Sequence, residues 1–445
     1  MKQSLSRHVP ILLLLVGAIA IRSLYARLTP SITINADSIG YYSLGKSFLT
    51  SPSLETFVNP YRTPLYPIFV ATLIPGPETF PTSPYTQQVN QGFDLLMYVQ
   101  SMLGVISVLV MYALLLHAGT GKILAFMGGL LTATNPQLFL WERTMMTEGI
   151  SISLFIILLY TMVRALKNPS LCWIVSFYVL GLLGFLLRPA NLIVPVIISP
   201  FIIRAVWQTQ WKRLVTIVLF CLYISVPIAF RTVNTTFHGY PGISQVSDID
   251  VFGRILEFGI PVEAATSVPF FYHVVNATRK TSAETHPFRV LDSFDPRIYT
   301  NRVRMRELGV FNRLVVSSHP LLYLQQAFLY IPRLIGDYEQ LPEAPNNAAY
   351  RIFRFINDVY GVSKKLFWIV LLLFPFAGIR WMQTRDSRFE ILFLLGGSIV
   401  LQLVMTVMIV YYEAYGRLTA MLTPAAYISI ILWMSTLKER MRSKR

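Results

Sequence analysis

Charge is scarce in this sequence. Asp, Glu, Lys and Arg make up 13% of its 445 residues, against 54% hydrophobic residues, and the mean hydropathy is +0.54. Soluble domains carry about twice that share of charge, so a water-soluble globular class is excluded. Cysteine is scarcer still. Cys172 and Cys221 both fall in or beside apolar runs, which excludes a disulfide framework and leaves two small apolar residues expected in a core. The six histidines, His8, His117, His238, His273, His286 and His319, have no metal-ligand spacing. There is no tandem repeat, heptad pattern or low-complexity tract. These absences leave no metal, no cofactor and no nucleic acid among the expected partners.

What is present is a series of apolar runs of about 17–25 residues, the length that crosses a bilayer core as helix. Helices and closed barrels alone satisfy the backbone in lipid, and the runs are too continuous for barrel strands. The fold class expected is therefore all-α and polytopic, with about ten transmembrane helices. They lie near 9–27, 93–116, 122–140, 149–165, 171–187, 191–206, 214–231, 366–382, 390–412 and 418–437. The first resembles a signal peptide but lacks a small-residue cleavage pattern, so it reads as an uncleaved helix.

The net charge of +16 sits in short loops: His117–Lys122, Arg164–Lys167, Arg204–Arg213, Arg380–Arg388 and the tail from Lys438 to Arg445. Cytoplasmic N- and C-termini place all of these on one side, as the positive-inside rule requires. That placement argues for topology over nucleic-acid binding. His319 to Ile335 is then an interfacial or re-entrant helix on the outer face, because a span there would invert the basic loops that follow. Two outer segments are long, 28–92 and 232–365, as functional loops often are. The whole of 1–445 reads as one membrane domain, with juxtamembrane helices in both outer loops.

Three stretches carry candidate chemistry. In Ala36-Asp37-Ser38-Ile39-Gly40-Tyr41-Tyr42, a stripe of Tyr41, Leu44 and Phe48 suits a helix lying on the membrane. Asp37 at its start suits either a helix cap or an active carboxylate. In Asn59-Pro60-Tyr61-Arg62-Thr63-Pro64-Leu65-Tyr66-Pro67, three prolines fix the chain around Arg62. That guanidinium suits either a phosphate ligand or an arginine snorkelling to headgroups. In Trp141-Glu142-Arg143-Thr144-Met145-Met146-Thr147-Glu148, Glu148 stands at a helix N-terminus, where the dipole favours it, and Glu142–Arg143 reads as a surface pair. Arg188-Pro189 and the stretch from Tyr411 to Arg417 end on the same face. Ionisable groups at membrane depth default to functional candidates. Asp248-Ile249-Asp250 could in form bind a divalent ion but stands apart from these stretches. Asn234 and Asn276 begin glycosylation sequons.

In order and wording these pieces resemble the GT-C glycosyltransferases, and within them the dolichyl-phosphate-mannose protein mannosyltransferases and the aminoarabinose transferase of lipid A. The likeness rests on Asp37 soon after the first helix, Tyr61-Arg62-Thr63-Pro64-Leu65-Tyr66-Pro67, Met146-Thr147-Glu148, Arg188-Pro189 and Tyr415-Gly416-Arg417 with Pro424. Ser38 departs from the Asp-Glu pair that many protein mannosyltransferases carry. The resemblance implies a polyprenyl- or dolichyl-phosphate sugar donor and a glycan, lipid or protein acceptor. It implies transfer with inversion on the periplasmic, outer or luminal face, in a bacterial inner membrane or a eukaryotic ER membrane. Asp37 is then the catalytic general base. Arg62, Glu148, Arg188, Arg417, Tyr41 and Tyr61 bind substrate. The alternatives are a transporter or flippase of a lipid-linked glycan, an O-antigen ligase or polymerase, and a non-catalytic assembly subunit.

Overall fold

The computed structural model describes residues 2–81, 83–281, 284–340, 348–411 and 415–443. Each of the expected apolar segments is helical over most of its described residues. In chain order the helices are α1 (Lys2–Leu28), α2 (Ala36–Thr50), α3 (Leu54–Phe57), α4 (Leu65–Leu73), α5 (Gln87–Ala118), α6 (Lys122–Ala133), α7 (Pro136–Glu142) and α8 (Thr147–Lys167). Next come α9 (Leu171–Leu187), α10 (Ile193–Ala205), α11 (Gln210–His238), α12 (Gln245–Glu257), α13 (Pro269–Thr281), α14 (Pro287–Phe294), α15 (Arg302–Ser318) and α16 (Pro320–Gly336). The series closes with α17 (Ala348–Lys364), α18 (Leu366–Thr384), α19 (Ser387–Ile409), α20 (Tyr415–Ala420) and α21 (Thr423–Ser443). Among the described residues the one β interaction is an isolated parallel bridge between Thr33 and Thr144.

Among the described residues, six helices are long and apolar enough to cross a membrane by length and composition, or seven if the bent pair α6–α7 counts as one span. Other expected spans fall on shorter or more polar helices. α9 and α10 are shorter apolar helices, and 17 residues give only about 25 Å of helix. α21 carries Lys438 and Glu439 near its end. The 44° break between α6 and α7 falls at Asn135-Pro136. Pro136 supplies no N–H to the ladder, and the Asn135 side chain accepts from the Gln137 N–H at 3.0 Å to restart the helix.

α8 lies at the centre, packed against α5, α7, α9, α10 and α21. Around it the outer helices turn large apolar residues outward: Leu12, Leu13 and Val16 on α1, Tyr98 and Met102 on α5, Leu214 and Leu222 on α11, Leu372 and Phe376 on α18. Apolar surface on this scale calls for lipid. The chain is an all-helical polytopic membrane protein. The same logic corrects the cysteines. Cys172 and Cys221 are free and exposed, because an apolar position in a membrane helix is as often lipid-facing as internal.

The two long loops fold as helical layers at one end of the bundle. Segment 28–92 forms α2–α4, and 232–365 contributes α12–α17. α16 packs along α19 with Leu321, Phe328 and Leu329 facing out. α2 and α4 pack closely because position 45 is glycine: a Cβ there would lie 1.9 Å from the Pro67 carbonyl oxygen.

Candidate active site

The site begins with a capping choice. Asn35, not Asp37, caps α2: its side chain accepts from the Ser38 N–H, and the Ser38 hydroxyl accepts in return from the Asn35 N–H. Asp37 is left in the first helical turn, favoured by the helix dipole and free to act elsewhere.

The start of α2 is then stitched to the segment that precedes α8. Thr33 N–H donates to the Arg143 carbonyl at 2.9 Å, Met145 N–H donates to the Thr33 carbonyl at 3.0 Å, and the Ser38 hydroxyl donates to the Met145 carbonyl at 2.9 Å. These bonds bring Asp37 beside Glu148 in the first turn of α8. Glu142 and Arg143 are not a surface pair. Glu142 is fully buried and receives both Arg22 Nε and Nη2, at 2.8 and 2.7 Å. Arg143 donates to the carbonyls of Thr29 and Pro30. Both residues lock the stitched segment to α1 and its exit.

Three guanidinium groups join the two carboxylates. Arg62 pairs with Asp37 and stacks over the Tyr41 ring at 5.2 Å. Its loop is tied down by Tyr61 N–H donating to Asn59 Oδ1 at 2.8 Å and Gln245 N–H to the Pro60 carbonyl at 2.7 Å. Arg188 ends α9, where the helix dipole favours a cation, and donates to Glu148 Oε1 at 2.9 Å. Arg417 on α20 bridges both acids, with Nη1 3.0 Å from Asp37 Oδ2 and Nε 2.8 Å from Glu148 Oε1. α20 is held from behind, where the Gly416 N–H donates to Asp337 Oδ2 at 2.8 Å and Lys364 donates to the Thr419 hydroxyl at 2.7 Å. The result is an alternating chain: Arg62, Asp37, Arg417, Glu148, Arg188. Of the 411–417 stretch, Tyr412, Glu413 and Ala414 lie outside the described residues.

This chain forms one end of a cavity of about 1050 Å³, a volume suited to a substrate of several hundred daltons. Asp37, Tyr41, Tyr61, Arg62, Arg188 and Arg417 line it. Glu148 does not, and its side chain is 1% exposed against 28% for Asp37. Of the two acids, Asp37 faces the cavity, and Glu148 lies behind it, bonded to Arg188 and Arg417. Burial raises the Asp37 carboxyl, but Arg62 and Arg417 outweigh it and hold the group below the usual carboxylate range.

The sequence did not single out Arg231, Tyr240, His286 or Arg313, which also line the cavity. They come from α11, the N-cap of α14, α15 and a loop, with no shared spacing to betray them. Asp248-Ile249-Asp250 divides. Asp250 lines the cavity, whereas Asp248 accepts from the Tyr240 hydroxyl at 2.8 Å. Residues two apart on a helix face different ways, so the pair does not converge on one ion. Among the described residues no group of three His, Cys, Asp or Glu is placed to hold a metal. Burial pushes the Asp250 carboxyl up to about 7, against the pull of Arg417, Arg254 and Arg62.

Residues 89–230 match the family model described as dolichyl-phosphate-mannose-protein mannosyltransferase. That match bears out, over those residues, the resemblance read from the sequence. No curated protein sequence matches the chain significantly. Solved structures similar to the chain include the Archaeoglobus fulgidus oligosaccharyltransferase in its apo form and in complex with zinc and sulfate. Each is 14% identical with a TM-score of 0.47, covering 96% of this chain and 50% of that one. The same enzyme tethered to an acceptor peptide matches at 14% identity and a TM-score of 0.46, covering 96% and 49%. The chain thus spans about half the length of those structures.

Proposed function

We propose, from the premise that residues 89–230 match a mannosyltransferase family model, that this protein is a membrane glycosyltransferase. It moves a sugar from a polyprenyl- or dolichyl-phosphate donor to an acceptor hydroxyl, on the periplasmic, outer or luminal face. The observation that carries the reading is the Arg62–Asp37–Arg417–Glu148–Arg188 chain at the cavity end.

Arg62, Arg188 and Arg417 stand against Asp37 and Glu148, and Arg231 and Arg313 face the same cavity with Asp250. The lining is thus net cationic and suits a sugar phosphodiester, which carries one negative charge. As the sugar carbon leaves, the lipid phosphate becomes a monoester and gains a second negative charge. Each arginine has five N–H donors, so Arg62 and Arg417 keep donors for a phosphate while still bound to Asp37. Charge stabilisation of this kind, prearranged in a site shielded from water, lowers the barrier to departure. Asp37 is the catalytic carboxylate: it accepts the hydrogen bond of the acceptor hydroxyl and directs its oxygen at the sugar carbon. One displacement inverts that carbon. The cavity wall made by Gln402, Met405, Thr406 and Ile409 of α19 with Leu192 and Ile193 is largely apolar and suits the first isoprene units.

The test is a panel of radiolabelled polyprenyl-phosphate sugars given to the purified chain together with solubilised membrane lipids, glycans and peptides as acceptors. At least one should yield free polyprenyl phosphate. Release from none of them, with labelled lipid instead crossing vesicle membranes, would contradict the reading.

A further inference from the structure

One carboxyl at the cavity has no role in the chemistry above. Asp250, in the second turn of α12, lines the same cavity as Asp37, Arg62 and Arg417. Its side chain is half-buried, and among the described residues it makes no hydrogen bond or ion pair. Its neighbour Asp248 is engaged by Tyr240. Arg254, one turn along α12, is paired with Glu257 at 2.5 Å. The Asp250 carboxyl thus faces the cavity without a protein partner, which leaves both oxygens available to a bound substrate.

Resting on the transferase reading, we infer that Asp250 takes the proton of the acceptor hydroxyl while Asp37 orients that hydroxyl. In the step, the acceptor oxygen bonds to the sugar carbon and the carbon–oxygen bond to phosphate breaks. That electron pair stays on the lipid phosphate, and the hydroxyl proton moves to a carboxylate oxygen of Asp250. No further reactant is needed, and the proton later passes to water.

The two acids of the cavity are unequal as bases. Asp37 is held low by two arginines, and a proton placed on it would weaken both ion pairs. Asp250 is poised between its two forms near neutral pH, where a general base works best. The charged groups around it are Arg62 before α4, Asp37 on α2, Arg417 on α20 and Arg254 on its own helix. Of the helices packed on α12, α14 brings His286 to the cavity and α15 brings Arg313, while α19 brings Gln402 and Thr406, which do not titrate.

The experiment supplies the purified protein with radiolabelled polyprenyl-phosphate mannose, glucose or aminoarabinose and with solubilised membrane lipids, glycans and peptides as acceptors, and follows polyprenyl-phosphate release from about pH 5 to about pH 9. The wild type should lose rate on the acid side with a midpoint near 7. Asp250→Asn should lower kcat about a hundredfold or more, leave the donor KM nearly unchanged and abolish the acid limb. Asp250→Ala should regain turnover when formate is added. His286→Gln should keep the limb, since the limb belongs to Asp250. A wild-type rate that is flat through neutrality, or an Asn variant that keeps both kcat and the limb, overturns the inference. The wild-type profile decides even if the variants fail to accumulate. Release from none of the sugars by the wild type overturns the transferase reading itself.

Discussion

At the residue scale, the site turns on how many partners each charge has. Arg417 touches both carboxylates, a geometry that a planar fork makes and a lysine ammonium does not. Arg417→Lys should therefore cost about tenfold or more in kcat at normal protein level, measured as sugar transfer in membranes. The two cavity acids should also move stability in opposite directions with pH. Asp37 has a lowered carboxyl, so its contribution is present above the ordinary carboxylate range and is lost as pH falls through its lowered value. Asp250 is raised, so its native form favours the proton, and its presence costs stability as pH climbs from about 4 through 7. Asp250→Asn should then raise the melting temperature in detergent at pH 8, with little change near pH 4. Equal shifts at both values would contradict the raised carboxyl. Sequence could identify Asp37 and Arg62 by type and position, but not their partners. A capping asparagine two residues upstream and an arginine 380 positions away leave no local mark.

At the element scale, hydropathy located the helices because lipid demands long apolar runs, and α1, α5, α8, α18 and α19 agree with it closely. It did less well where helices are short or amphipathic. α9 and α10 are shorter apolar helices, and α12–α15 emerge from a segment whose mixed charge gave no single stripe. The link between α7 and α8 was the least legible. Glu142 and Arg143 look like surface charge in sequence, yet Glu142 is sealed under Arg22 with Gly104 beside it, where a Cβ would lie 1.7 Å from Glu142 Oε1. Removing one member of a buried pair costs about 3–5 kcal/mol, while replacing both by apolar residues can be near neutral. Arg22→Leu alone should lower thermal stability more than Arg22→Leu with Glu142→Leu. An additive double variant would show that the pair is not coupled. Because Gln100 Nε2 donates to the carbonyls of Glu142 and Thr144 and its Oε1 receives the Tyr66 hydroxyl, disorder there should also reach the Arg62 loop.

At the scale of the whole molecule, the cavity wall draws on α2, the Arg62 loop, the ends of α9 and α11, and then α12, α14, α15, α19 and α20. The distribution of basic loops along the chain is enough to expect Asp37, Arg62, Glu148, Arg188 and Arg417 on one side, and the structure brings them together. That distribution carries no sign that Glu148 stands behind the arginines or that Asp250 joins Asp37. Both depend on which way a side chain turns within a packed layer. The most direct measurement compares wild type and Asp37→Asn, purified at equal folded yield, for sugar transfer from a polyprenyl-phosphate donor that the wild type accepts. The expected result is a loss of about a hundredfold or more in the variant, with donor still bound. Transfer by the Asn variant at the wild-type rate would contradict Asp37 as the catalytic carboxylate.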